Sequence, residues 1–138
     1  MKASDALFGP VEAGDHPLYV AKAEYNEPRT RDDGTPGNPS VNVRFEVTDG
    51  EMSGRILFQR FTINQNGRGK QTAFLMGAYK RITSKDAPEG MSDDELAHEL
   101  AAGITGGKIT GKVTVRPQKR YGVVVEGEFD NVITRWLD

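Results

Sequence analysis

The sequence predicts a mainly β fold, a small barrel of five strands with a helical insert between the third and fourth. Three observations predict it. Apolar and polar residues alternate through 41–47, 55–63 and 108–115, the period of a half-buried strand. The chain holds 16 glycines in 138 residues, enough to join many short strands by tight turns. Between 70 and 101 the apolar spacing changes to that of a helix, with alternation before and after it.

Taken in order, residues 11–17 are rich in turn formers and lead into a first strand, Leu18 to Tyr25. Its apolar phase shifts. Leu18 and Val20 share one face, then Ala21, Ala23 and Tyr25 share the other. Such a shift predicts a bulge, which a strand needs if it is to serve two sheets of a small barrel. A long loop follows, with Pro28, Pro36, Pro39, Gly34 and Gly37, two cations (Arg29, Arg31) and the pair Asp32-Asp33. The pair reads as an Asp-Asp-Gly turn; a cation site would need more oxygen ligands than the loop offers.

Val41, Val43, Phe45 and Val47 alternate with Asn42, Arg44 and Glu46, a second strand with one buried face. Asp49-Gly50 marks a reversal. The third strand runs from Arg55 to Ile63. Leu57, Phe61 and Ile63 make the heavier apolar set and are assigned inward, so Ile56, Phe58 and Arg60 face the other way. Phe58 beside Arg60 is either part of a second small cluster or an exposed stacking site. The loop 64–69 carries Arg68, and a helix from Lys70 to Ile82 presents Phe74, Leu75, Ala78 and Ile82 on one side. Strand, glycine-bearing loop and Gly69-Lys70 superficially suggest a phosphate-binding P-loop. Asn64 stands where its first glycine is required and Gln71 where its Ser/Thr is required, which excludes nucleotide hydrolysis by that motif.

Ser92-Asp93-Asp94-Glu95 is a capping box. It opens a short helix with Leu96, Ala97, Leu100 and Ala101 in a stripe, stopped by Gly103. Residues 86–99 hold six acids and neither Lys nor Arg. They read as helix caps and a solvated face rather than a catalytic pair. From Lys108 the alternation returns, with Ile109, Gly111, Val113 and Val115 on one face and Lys108, Thr110, Lys112, Thr114 and Arg116 on the other. Pro117 is expected to end this strand, with a turn at 118–122 carrying Lys119, Arg120 and Tyr121, and a return strand from Val123. The segment 108–121 contains five basic residues and no acid. Its plain reading is a solvated edge hairpin whose lysines block aggregation; its functional reading is a finger with a cationic, aromatic tip. A final extended piece, 131–138, carries Trp136, expected to pack over a barrel end.

Composition bounds the rest. The length suits a single domain, 1–138, with 1–10 a loose lead-in. There is no cysteine, which removes disulfides and thiolate metal sites from consideration. Neither a secretory h-region nor a run of about 20 apolar residues is present, so a soluble, cytoplasmic protein is expected. The net charge of -2 does not advertise a nucleic-acid binder. Because the acids concentrate in 86–99, a basic surface can nevertheless coexist with that total. Enzyme readings are weak. His16 and His98 lie in no metal spacing, and no serine sits in a Gly-x-Ser-x-Gly elbow. No catalytic residue, metal or cofactor is expected.

Three strands, a helical insert and two strands is the order of the OB-fold, a five-stranded Greek-key barrel whose middle strands and whose loops after strands one and four bind oligonucleotides or oligosaccharides. Here the loop after strand one supplies Arg29 and Arg31, the middle strands Arg44, Phe58 and Arg60, and the loop before the helix Arg68 and Lys70. The basic hairpin supplies Lys108, Lys112, Arg116, Lys119, Arg120 and Tyr121. A positive groove with aromatic platforms is what single strands require.

Short pieces of the chain also carry a resemblance: VEAGDHPLYV at 11–20, Gly37-Asn38-Pro39, Val47 to Gly50, Gly54-Arg55, Gly107-Lys108 and Asn131-Val132. Each is weak alone; together, in order and spacing, they span most of the chain. The chain resembles a group of short phage-encoded proteins of formally unknown function, found among replication and recombination genes, that look like OB-fold single-stranded DNA-binding proteins. The resemblance implies sequence-tolerant binding of single-stranded DNA in phage replication or recombination. The partners to consider are single-stranded DNA, phage replication or recombination proteins and a second copy of the chain as a homodimer, with no membrane. The competing expectation, from a different class, is a non-enzymatic protein-interaction β-barrel, an accessory or virion component whose basic face meets an acidic protein.

Overall fold

The structure, a computed structural model, describes residues 11–28, 30, 32–34, 37–65, 70–120 and 123–137, with backbone alone at 116–120 and 123–130. Among the described residues the elements run β1 (Gly14–Asn26), β2 (Ser40–Val47), β3 (Ile56–Thr62), α1 (Lys70–Thr83), α2 (Asp93–Ile104), β4 (Lys108–Arg120) and β5 (Val123–Leu137). All strand pairs are antiparallel, and they form one sheet in the order β3-β2-β1-β4-β5, curled into a half-barrel.

β1 organises the sheet because two ladders share it. Residues 14–19 pair with β4, and residues 18–26 pair with β2 on the opposite edge. The register slips between Val20 and Lys22, where the apolar phase changes. Before the slip Leu18 and Val20 are buried; after it Ala23 and Tyr25 turn to the core. An extra residue bends a strand and increases its twist, so one strand can feed two ladders that curl apart. β1 also starts earlier than expected and contains Pro17. The Pro17 carbonyl accepts from the Thr48 amide at 3.0 Å, on the β2 side. Its backbone therefore points away from β4, and no ladder bond to β4 is lost to the missing N–H.

β2 follows its alternation. Val41, Val43, Phe45 and Val47 are buried, each contributing roughly 1.5–3 kcal/mol by leaving water. The reversal to β3 uses Gly50 at φ 81° and Gly54 at φ 90°, left-handed values that a side chain disfavours. In β3, Leu57 and Phe61, with Ile63 just beyond, are buried as assigned. Ile56 is buried too, outside the main core cluster and across from Glu46. No ladder joins β3 to β5 among the described residues. Instead the Ile133 amide donates to Gln59 Oε1 at 2.9 Å, so a side chain spans the seam.

α1 lies against that seam and buries Thr72, Leu75, Ala78 and Tyr79. Its first turn completes the end of β3. Gln71 Oε1 accepts from the Thr62 amide at 2.7 Å, and Thr72 Oγ1 accepts from the Asn64 amide at 2.8 Å. Trp136 of β5 stacks on Phe74 with centroids 4.6 Å apart, and its indole N–H donates to the Phe74 carbonyl at 2.7 Å. The tryptophan therefore packs over the end of the core, as its sequence context predicts.

α2 opens with the expected capping box, Ser92 accepting from the Glu95 amide and Glu95 from the Ser92 amide, both at 3.2 Å. Gly103 does not stop this helix, which continues to a buried Ile104. Its role is close approach: a Cβ there would collide with the Tyr79 ring. Likewise Pro117 does not end β4. The strand runs on to Arg120, with a register shift between Pro117 and Lys119. Beyond Val113, the described ladder of β4 is with β5, so the proline sits on an irregular stretch of the outer hairpin where a missing N–H is tolerated. β5 is likewise one continuous strand through 123–137 rather than two extended pieces. Val11, the first described residue, is pinned to it. The Val11 amide donates to Asn131 Oδ1 at 2.8 Å, and Asn131 Nδ2 donates to the Val11 carbonyl at 2.7 Å.

Candidate nucleic-acid interface

The outward face of β1–β2–β3 follows from the ladder registers. Lys22 lies opposite Arg44, which lies opposite Phe58; Glu24 lies opposite Asn42, which lies opposite Arg60. Residues two apart on a strand share a face, so Phe58 and Arg60 stand side by side. Phe58 is 63% exposed. It is an exposed ring, not a member of a second cluster. Arg44 is different. Nη2 lies 3.6 Å from Glu46 Oε1, and its Nε is buried without a hydrogen-bond partner, so the guanidinium lies down on the sheet instead of projecting from it. Lys22 and Glu24 approach to 3.5 Å. Both pairs are well exposed and contribute at most about 1 kcal/mol each. The face is thus an aromatic platform among cations whose charge is partly offset by Glu24 and Glu46.

On β4, Lys108 and Lys112 are exposed. Lys112 lies opposite Asp15 on one side and Arg135 on the other. Val115, expected on the buried face, is 37% exposed, because β1 no longer covers the hairpin there. The backbones of Arg116, Lys119 and Arg120 lie in paired strand, with Lys119 opposite Val124 and Arg120 opposite Val123. The expected turn at 118–122 is therefore shorter, and two of its three tip residues belong to the ladder. The side chains of Arg116, Lys119 and Arg120, and Arg29, Arg31, Arg68 and Tyr121 altogether, lie outside the described residues.

Open cavities flank α1. One of about 430 Å³ is lined by Gln59, Arg60, Lys70, Gln71, Phe74 and Ile133 among others. A second, of about 410 Å³, lies between Phe74, Gly77 and Arg81 of the helix and Arg135 and Trp136 of β5. A third, of about 730 Å³, is walled by Lys80, Arg81, Ser84, Lys108 and Leu137. The structure thus brings the expected Lys70 and Lys108 to the helix side of the sheet, with Arg60 reaching its rim from the outer face, and adds Lys80, Arg81 and Arg135, which sequence reasoning missed. A signal was present for the first two, since bases in the last turn of a helix complement its dipole. Their surface partners depend on tertiary packing.

Two phenols tie the acidic helix down. The Tyr25 hydroxyl donates to Asp94 Oδ1 at 2.6 Å, and its ring stacks on His98 at 3.8 Å. That hydrogen bond, then desolvation and the charges of Asp94 and Glu27, push its pKa up to about 12. The Tyr79 hydroxyl donates to Glu99 Oε1 at 2.9 Å, a bond that likewise raises its pKa. These acids therefore hold α2 to β1 and to α1, which fits the reading of residues 86–99 as structural. Among the described residues no group of His, Asp and Glu is arranged to hold a metal ion, and no helix is long and apolar enough to cross a membrane. No protein-family model matches the chain, and comparison with curated proteins finds no match.

Proposed function

We propose that the chain is an OB-fold protein that binds single-stranded DNA without regard to sequence and acts in phage replication or recombination. The observation that carries this reading is Phe58, a largely exposed ring on a middle strand, opposite Arg44 and beside Arg60. Every base has a π-face, so an exposed ring flanked by cations suits a strand of any sequence. The bulged β1 shared by two ladders, and the Gln59 contact across the β3–β5 seam, support a partly open five-stranded barrel. The phage context, with replication or recombination proteins as partners, rests on the ordered short matches in the sequence. Several of those residues are structural pins, such as Asn131 holding Val11.

Fluorescence anisotropy with labelled oligo-dT over a salt series tests the reading. Affinity should fall with salt at a slope of about -0.7 per phosphate neutralised. Affinity unchanged between low and moderate salt would refute electrostatic binding. The acids Glu24 and Glu46 among the cations favour a second reading, a non-enzymatic protein-interaction barrel. It predicts no oligo-dT binding at any salt concentration.

A further inference from the structure

We propose that the seam between α1 and β5 carries the sugar–phosphate backbone of the bound strand, a track separate from the outer face of the sheet. This rests on the single-strand reading above. Three cavities adjoin along α1, the first two against β5 and the third passing from Leu137 onto Pro17 and Leu18 of β1 and Lys108 to Thr110 of β4. The first shares Phe74 and Thr134 with the second, and the second shares Arg81 and Leu137 with the third. Each contributes cations: Arg60 and Lys70, then Arg135 and Arg81, then Lys80 and Lys108. Among the described residues that line them there is no Asp or Glu. The outer face differs, with Glu24 and Glu46 set beside its bases. Lys80 does reach Asp86 at 3.2 Å, but both side chains are highly exposed, and a phosphate can take the carboxylate's place.

The track has useful length. Lys70 and Arg81 sit near opposite ends of α1, roughly 16 Å apart at 1.5 Å per residue, enough to face several successive phosphates. It also lacks a free aromatic among the described residues. Phe74 and Trp136 stack on each other, and the indole N–H is spent on the Phe74 carbonyl. The seam therefore offers charge without a surface for bases, while Phe58 offers a surface for bases. Arg60 joins the two, lining the first cavity and standing next to Phe58 on the sheet. Bases would stack at Phe58, and the backbone would turn at Arg60 into the seam.

The two contributions separate experimentally. In the full chain, the combined substitution Lys70→Gln, Lys80→Gln and Arg135→Gln removes three seam cations. Against labelled oligo-dT the salt slope should become shallower by about 2. Affinity at about 0.1 M salt should then drop on the order of a hundredfold, with the loss vanishing towards 1 M. Phe58→Ala should weaken binding while keeping the wild-type slope. If the triple variant melts early, Lys80→Gln and Arg135→Gln alone should each lower the slope by about 0.7. Wild-type binding with an unchanged slope in these variants would overturn the track and leave the single-strand reading standing. Failure of the wild type to bind oligo-dT would overturn both. Binding of polyglutamate in place of oligo-dT, abolished in the triple variant, would assign the seam to an acidic protein segment and overturn the nucleic-acid track.

Discussion

Replacing Phe58 with alanine separates a stacking platform from a packing residue. At 63% exposure, and with a phenyl side chain offering roughly 150–250 Å², about 100–150 Å² of ring is open to water. A stacked base covers one face, about half of that. At about 25 cal/mol per Å² the lost burial is roughly 1.2–2 kcal/mol, within the ~1–3 kcal/mol that stacking positions contribute. Affinity for oligo-dT should therefore fall about 7- to 30-fold, and by similar factors for strands of different base composition. Folding stability should move by no more than about 0.5 kcal/mol, as for other surface substitutions. Anisotropy titrations paired with urea melts measure both quantities. Wild-type affinity in a well-folded Phe58→Ala protein would refute the stacking argument. A stability loss of roughly 3–5 kcal/mol, the cost of emptying a core site, would refute the assignment of the ring to solvent.

Gly103→Ala tests a contact against a propensity. Removing a glycine from the last turn of a helix should by itself stabilise by at most about 1 kcal/mol, but the Cβ meets the Tyr79 ring, so we expect a net loss of roughly 1–3 kcal/mol in urea melts, and a gain would show that the ring yields freely. Because the Tyr25 pKa lies at about 12 in the folded protein against its ordinary value of 10.0, its stabilising contribution is complete below pH 10 and lost as pH rises from 10 through 12. Stability followed over that range, alongside a phenolate absorbance titration, should fall less steeply in Tyr25→Phe, and an unchanged profile would remove the Asp94 hydrogen bond as its cause.

Where a residue's environment is decided by its own strand or helix, the sequence was sufficient. The alternation of Val41, Val43, Phe45 and Val47 identified a buried face, the phase change after Val20 identified a bulge, and Ser92 with Glu95 identified a helix start. Misreadings arose where the environment is set by a distant element. Pro117 looks like a strand end until the irregular pairing of the outer hairpin is known. Gly103 looks like a helix stop until Tyr79 is placed against it. Within the candidate site, the face on which Phe58 lies was legible because its own strand has a heavier opposite face, but the choice between a second cluster and an exposed ring was not, since it depends on what packs beyond that face. Lys80, Arg81 and Arg135 were not, since one helix and one strand far apart in sequence must meet before their charges share a groove.

The two-sided pairing of β1 has a consequence for how the chain is made. Residues 14–19 of β1 pair with β4 and residues 18–26 with β2, and these two neighbours arrive at different times. β2 follows directly after the loop that ends β1, whereas Gly14 waits for Val113. At about 5–20 residues per second the ribosome delivers that partner about 5–20 s later. During that interval the leading half of β1 is an open edge carrying Leu18 towards an incomplete core, and the Val11 clamp lacks Asn131 until later still. Contacts this remote in sequence are slow to form after release as well. Nascent chains stalled before residue 108 should therefore be protease-sensitive at residues 11–19 and prone to self-association, while the full-length chain hides the same edge inside its sheet.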